Sequence, residues 1–388
     1  MPSKGQYIRL ETKGRRSGKP HSVLVRFVTF DGKIAIFPGN DGRRDWLANI
    51  ASNSEVRVFG DDSIIEGSAK LRDVGAPGDP LLGAFARKYG NEVVRGMYWG
   101  QKRYVEIEPR AESLADDYHE LVYADLEAAF DGVAEEYDRH IFRNPMNVWL
   151  RTVSVRLMTQ IFRPGDVILE IGCGTGTETL SLAERGIKVL ASDISSKMLS
   201  VLRRKADRAG LGKQVVPVHC RPYMLKTRLE ELGYTSVDGA YSTYGAINTE
   251  PRLDDLFSDL RSIIRTGGRL VLGVWNRYCL YEMIGYSIRF WPSMAVARFR
   301  NPVPVGKSRF CVPSNAYSVA ALSKMLSKSF RLEGVHGVGI FLPPSNLVKY
   351  LPPSPILDFV KRADVSVEAH FPWNRLGDHF LGIYSKIG

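Results

Sequence analysis

A chain of 388 residues, 44% hydrophobic and 24% charged, has room for two or three domains with their own cores and the balance of a globular protein, not of a disordered or fibrous one. No apolar run reaches the length of a membrane span, the first nine residues lack the apolar core of a secretory signal, and the four cysteines (Cys173, Cys220, Cys279, Cys311) are scattered without C-x-x-C spacing, so the chain reads as cytoplasmic with reduced thiols. A formal net charge of +11 admits an anionic partner, but the basic residues are spread along the chain, and no nucleic acid is expected.

Residues 7–12 and 21–30 have the composition of strands, and Asp31-Gly32 joins the second to residues 33–37 as a two-residue hairpin. Residues 55–59 and 64–71 form another pair around Gly60-Asp61-Asp62, and 104–107 is a last strand. Between them, 43–51 reads as a short helix packing Trp46, Leu47 and Ile50. Short strands with turn signals predict a small barrel over residues 1–110.

Two segments of this barrel carry more than scaffold chemistry. The loop Lys13-Gly14-Arg15-Arg16-Ser17-Gly18-Lys19 packs cations, a hydroxyl and glycines between strands, a composition suited to phosphate oxygens. Glu11 and Asp31 are the nearest carboxylates along the chain, so these cations read as unpaired. Further donors come from the stretch that opens the helix, with Asn40, Arg43 and Trp46. Together the segments resemble the split-barrel deazaflavin-dependent nitroreductase-like family, where G-R-[KR]-S-G and a later [RD]-W-x-x-N hold the phosphate tail and the ring of the coenzyme. The resemblance implies a flavin-reductase-like β split barrel. An 8-hydroxy-5-deazaflavin coenzyme, or flavin mononucleotide (FMN), would be held by Arg15, Arg16, Ser17, Lys19, Asn40, Arg43 and Trp46. The alternative is a barrel that serves only for binding or as the surface of a homodimer.

Residues 111–165 read as a helical connector. Helical periodicity runs from 113 to 139, and an amphipathic helix over 147–162 stops at Pro164-Gly165. The next stretch organises the rest of the chain: Val167-Ile168-Leu169-Glu170-Ile171-Gly172-Cys173-Gly174-Thr175-Gly176, then a helical pattern, then a second strand over 187–191 that ends at Ser192-Asp193. A strand thus feeds a tight turn into a helix N-terminus, where glycine lets a ligand approach the backbone. A carboxylate at the tip of the second strand is placed to accept both ribose hydroxyls of a nucleoside. The spacing E-x-G-x-G-x-G differs from the dinucleotide fingerprint, which would want glycine at Thr177, and from a phosphate loop, which would want Gly-Lys-Ser/Thr.

In these residues the chain resembles the class I S-adenosylmethionine-dependent methyltransferases, over roughly its last two-thirds. The resemblance implies a Rossmann-like α/β domain over 166–388. Glu170, Gly172, Cys173, Gly174, Gly176, Asp193, Ile194 and Ser242 would hold the donor, S-adenosylmethionine. The segment 130–138 resembles the A-x-x-Y-D segment that lies over the methyl donor, so Tyr137 is a donor contact, with core packing as the alternative reading. The family usually carries an acid after its third strand to bind the adenine amino group. Here that strand, 215–218, ends at His219-Cys220-Arg221, and the adenine contact stays unassigned.

Strands at 237–242 and 269–275, with helices at 195–209 and 253–265, complete the alternation expected of a parallel sheet. The tip of the fourth strand offers Tyr244 and Asn248 to orient an acceptor. It lacks the [DN]-P-P-[YF] of amino-methylating nucleic-acid enzymes, a catalytic cysteine and paired acids for a metal, so no metal is expected. An insertion follows at 276–313. Its aromatic part, 279–296, reads as a buried helix, a cap over an apolar acceptor, or a surface helix at a membrane flanked by Arg277, Arg289, Arg298 and Arg300. Residues 330–341 and 378–386 look like the closing antiparallel hairpin. The expected function is methyl transfer to a small apolar metabolite, fused to a deazaflavin-dependent oxidoreductase. A barrel without redox activity and an RNA methyltransferase are the alternatives.

Overall fold

The computed structural model describes residues 7–18, 20–38, 45–60, 63–74, 79–98, 102–114, 118–300, 303, 314–344 and 355–388. It divides into two compact units, Met1–Leu121 with Phe290–Pro313, and Val122–Arg289 with Ser314–Gly388. The division falls inside the helix Tyr118–Asp131. No helix of the described residues is long and apolar enough to cross a membrane.

The first unit is built on strands β1 (Tyr7–Lys13), β2 (Pro20–Arg26), β3 (Val28–Phe30), β4 (Lys33–Ile36), β5 (Glu55–Gly60), β6 (Ser63–Asp73) and β7 (Arg103–Leu114). They form one antiparallel sheet in the order β2-β1-β5-β6-β7-β4-β3. Residues 21–30, expected as one strand, are two. The run breaks at Phe27, whose N–H donates to the Tyr89 hydroxyl (2.9 Å) while that hydroxyl donates to the Phe27 carbonyl (2.7 Å). A buried backbone pair freed from the ladder needs such partners. Because β2 and β3 form opposite edges of the sheet, the sheet curls until its edges meet at Phe27.

Inside the curl pack Ile8, Leu10, Ile34, Val58, Val105 and Ile107, closed by Trp46, Leu47 and Ile50 of the helix Asp45–Ser52. Two further helices, Pro80–Tyr89 and Asn91–Tyr98, correct the expectation of a single one. The first is capped by Asp79, which accepts from Leu81 N, and has Pro80 in its first turn.

The second unit has strands β8 (Val167–Ile171), β9 (Lys188–Asp193), β10 (Val215–His219), β11 (Val237–Ser242), β12 (Ile264–Trp275), β13 (Phe330–Val338) and β14 (His379–Lys386). Their order is β10-β9-β8-β11-β12-β14-β13. The pairings among β8 to β12 are parallel, and those of β14 with β12 and β13 are antiparallel. The order reverses between β8 and β11, which opens a crevice at the carboxyl ends of the strands. Two apolar layers cover the sheet, one around Leu169, Leu190, Leu256 and Leu272, the other around Leu157, Ile168, Val189 and Leu202.

The single helix expected over 113–139 is replaced by three pieces. β7 continues to Leu114, the helix Tyr118–Asp131 follows, and after Gly132 a turn at Ala134–Glu136 leads into the helix Tyr137–Phe142. The next helix, Pro145–Ile161, starts early because Asn144 caps it, accepting from Met146 N at 3.0 Å, and Pro145 opens it.

Candidate active site

The cleft at the carboxyl ends of β8, β9, β10 and β11 encloses about 970 Å³ including its mouth, at the upper end of small-molecule sites. It is built on the turn after β8. Gly172, Gly174 and Gly176 all have positive φ. At Gly172 an added Cβ would stand 2.5 Å from the Ala246 Cβ, so the strand-four loop can approach only a bare backbone. The N–H groups of Gly172 and Cys173 both donate to the Ser192 carbonyl at 2.9 Å, which ties the glycine turn to the tip of β9.

That tie sets Asp193. One of its oxygens accepts Gly174 N and the other Ser195 N, each at 2.8 Å. The carboxylate is 9% exposed and lines the cleft. Burial pushes its pKa up, and the two backbone donors pull it back down. Each oxygen keeps a lone pair for a ligand, so a pair of vicinal hydroxyls meets an acceptor of fixed orientation.

Above the turn lies the helix Tyr137–Phe142. Tyr137 lines the cleft beside Gly174, where an added Cβ would come within 3.7 Å of its ring. Asp138 anchors this helix by accepting from the Thr175 hydroxyl and from Lys205 Nζ, which also donates to the Thr175 carbonyl (2.9 Å). Farther in, Arg151 Nη1 holds both oxygens of Glu178, at 2.6 and 2.7 Å, and both residues line the cleft. Arg151 Nε is buried without a hydrogen-bond partner.

The residues singled out from the sequence fall into three groups. Tyr137, Gly172, Cys173, Gly174, Asp193, Ile194 and Tyr244 line the cleft. Glu170, Gly176, Ser242 and Asn248 do not, and three of their side chains are committed elsewhere. Glu170 is buried and accepts the Thr179 hydroxyl, with its pKa raised to about 8 by burial and by Glu178. The Ser242 hydroxyl donates to the Ile171 carbonyl at 2.9 Å. Asn248 joins Trp275 N and the carbonyls of Trp275 and Asn315, so it staples backbone instead of facing an acceptor. Tyr244 reaches the cleft with its ring while its hydroxyl donates to the Leu150 carbonyl at 2.6 Å, which takes away the expected acceptor contact. Its backbone is left-handed (φ +44°), a costly conformation for an aromatic residue.

The remaining expected residues belong to the first unit. Arg15 is not unpaired: its Nη2 lies 3.5 Å from Asp45, and its backbone N–H donates to Asn49 at 3.1 Å. Asp45 comes from a distant helix, which counting carboxylates along the chain could not find. Glu11 pairs with Arg57 instead. Ser17 bonds His21 at 3.3 Å, and Trp46 is buried in the core. Arg16 is exposed with no partner among the described residues. Lys19, Asn40 and Arg43 lie outside the described residues. The insertion helix Leu280–Ile288 has no buried residue, which corrects the buried-helix reading, and it adds nothing to the cleft lining. Among the described residues no group of His, Cys, Asp and Glu could hold a metal.

Sequence reasoning passed over Arg151, Glu178, Asp138, Tyr123 and Glu250, all of them in or beside the cleft. Arg151 had a signal, a charge on the face that carries Leu150, Ser154, Leu157 and Met158 inward. Tyr123 and Glu250 had none, being 127 residues apart and joined only by the fold.

Residues 168–268 match the family described as methyltransferase domain. A "S-adenosyl-L-methionine-dependent Diels-Alderase" of Talaromyces variabilis is 32% identical over 132 residues, 33% of this chain and 43% of that protein. A demethylmenaquinone methyltransferase of Beutenbergia cavernae is 31% identical over 172 residues, 43% of this chain and 62% of the relative. A tRNA 5-carboxymethoxyuridine methyltransferase of Escherichia coli is 27% identical over 162 residues, 39% and 58%. The chain thus spans less than two thirds of these curated relatives. Among solved structures, a geranyl diphosphate methyltransferase in complex with SAM aligns with a TM-score of 0.40 and 16% identity, over 61% of this chain and 85% of that one, a level that carries no argument.

Proposed function

We propose that the second unit binds S-adenosylmethionine and transfers its methyl group to a small, predominantly apolar metabolite. The observation that carries this reading is Asp193, a carboxylate whose two oxygens are oriented by Gly174 N and Ser195 N at the tip of β9. Around it the residues fit the donor part by part. Asp193 takes the ribose hydroxyls, and the bare backbone at Gly172 and Gly174 leaves room for the amino-acid portion. The buried, unpartnered Nε of Arg151 offers a charged donor to its carboxylate. When bound, the sulfonium supplies a methyl carbon already activated for in-line displacement. The chain's own part is to align the acceptor and keep water out, work done by Tyr137, the ring of Tyr244 and the helix that carries Leu126 and Phe130.

Titration calorimetry with S-adenosylmethionine and S-adenosylhomocysteine tests the binding half. Incubation with methyl-labelled donor and a metabolite extract, with RNA in a parallel arm, tests the transfer. Label in the small-molecule fraction supports the reading, and label in RNA overturns the acceptor class. Binding without any label would instead align the chain with its Diels-Alderase relative.

For the first unit we propose a narrower reading, a split barrel with an anion site at Arg16 for the phosphate of a deazaflavin or of FMN. It rests on the exposure of Arg16 in a glycine-flanked loop. Ultraviolet–visible titration at low salt decides it, and no spectral change with either cofactor removes the oxidoreductase half.

A further inference from the structure

The cleft contains one acid that nothing above explains. Glu250 is 5% exposed and lines the cleft with Thr249, Tyr123 and Leu126. Two donors reach it, the Tyr123 hydroxyl and Arg252 N (2.9 Å), and both converge on the same oxygen, Oε1. Oε2 accepts no hydrogen bond among the described residues. Oε2 keeps some exposed surface and stays open to a ligand, while burial of the side chain as a whole raises the pKa of Glu250. Its side chain is fixed in place, since a fully buried tyrosine and a backbone N–H hold it from one side only.

Its position in the cleft says what would come to that oxygen. Asp193 stands at the tip of β9, and in the parallel register its neighbour on β10 is His219. Cys220 N donates to the Asp193 carbonyl (3.3 Å), so the cleft continues from the ribose position across the tip of β10 to Cys220 and Pro222. Just beyond, the Tyr123 ring lies 5.5 Å from that of Tyr223 and 5.6 Å from the Arg221 guanidinium, and Arg252 covers Tyr223 at 4.1 Å. Glu250 is therefore at the β10 side of the cleft. Ile194, Met198, Leu126, Phe130 and Pro222 line the same cleft and give it apolar surface suited to a flat ring.

The tip of β10 itself offers no carboxylate for an amino group. Cys220 stands there, its thiol pushed up to about 12 by burial and therefore protonated, followed by the cation Arg221. We propose that Glu250, from the loop after β11, accepts the adenine amino group of the methyl donor through Oε2, in place of an acid after β10. This assignment rests on the donor-binding reading above. It makes Glu250 a specificity residue for the base and Tyr123 its positioning residue.

The test compares S-adenosylhomocysteine with its inosine counterpart, in which an oxygen replaces the adenine amino group, by titration calorimetry on the full chain. An oxo group turns a lone pair toward Oε2 where the amine presents a proton, so the wild type should prefer the adenine form by at least about tenfold. In Glu250→Gln, whose amide can either accept or donate, the preference should fall to within about threefold. Equal affinity of the wild type for both nucleosides overturns the proposal, and needs no variant to fold. A preference that persists in Glu250→Gln overturns it too. If the wild type binds neither nucleoside, the donor-binding reading itself fails and takes this one with it.

Discussion

Arg151 grips Glu178 with a single nitrogen, Nη1 reaching both carboxylate oxygens at 2.6 and 2.7 Å. Its Nε remains buried and unpartnered. Two roles are thereby separable in one side chain. Arg151→Lys keeps a cation for Glu178 but has no Nε, so it should fold and bind donor at least about tenfold more weakly, a lost charged contact being worth about 1.5–3 kcal/mol. Arg151→Met strands the Glu178 charge, and breaking a buried pair costs about 3–5 kcal/mol. Thermal melting and calorimetry on the two variants would show the split; equal donor affinity in Arg151→Lys would take Nε out of the site.

Asp193→Ala should weaken S-adenosylmethionine binding roughly ten- to a hundredfold, the range of one charge-assisted hydrogen bond. It also strips Gly174 N and Ser195 N of their acceptor, so Asp193→Asn, which still accepts with one oxygen, should lose less. The same affinity in all three proteins would refute the ribose assignment.

Gly172→Ala puts a methyl group 2.5 Å from the Ala246 Cβ at a φ of +73°. Something must shift, and strain of this kind costs about 1–3 kcal/mol. A lower melting temperature together with reduced donor affinity is expected. Ala246→Gly in the same chain should restore part of the stability by opening the contact, and no rescue would mean that backbone strain alone is at work.

Glu170 gives a pH dependence with a definite sign. Burial and the neighbouring Glu178 raise its pKa from 4.5 to about 8. Between those values the folded protein keeps a proton that the unfolded chain has released, so rising pH disfavours folding. The stability is fully present below pH 4.5 and is lost as pH climbs through 8. At about 1.4 kcal/mol per unit the loss is a few kcal/mol. Glu170→Gln carries no such titration. Wild-type melting temperatures should therefore fall relative to the variant from pH 5 to 8, and parallel curves would contradict the assignment.

In the first unit, Tyr89→Phe removes the one hydroxyl that serves both backbone groups of Phe27. Leaving those groups buried and unmatched should cost about 1–3 kcal/mol. Urea denaturation would show a lower midpoint at unchanged slope, whereas an unaltered midpoint would mean that water replaces the hydroxyl.

The features that were legible in the chain are those encoded within a few residues. The glycine turn, the carboxylate at Asp193 and the strand–helix alternation follow from local spacing, and the structure places them at one crevice. What was not legible depends on partners far apart in sequence. No proline or glycine marks the break at Phe27, since its cause is Tyr89. Arg15 meets Asp45 from another element. The Tyr123–Glu250 pair has no local signature at all. Asn248 and Ser242 misled for the opposite reason: polar side chains at a strand tip look available in sequence, and only packing reveals that nearby backbone already holds them.

The order β12-β14-β13 has a consequence for how the second unit assembles. β13 has a single neighbour, β14, and β14 comes later in the chain than both strands that flank it. When Phe330–Val338 leaves the ribosome it therefore has no ladder to join. It must wait, with its backbone donors and acceptors facing water, until His379–Lys386 arrives. The two then either zip together and dock on β12 as a hairpin, or β14 docks first and receives β13. In both cases the parallel strands that carry the cleft are complete beforehand, so the Asp193 side of the cleft is able to form while this edge of the sheet is still open.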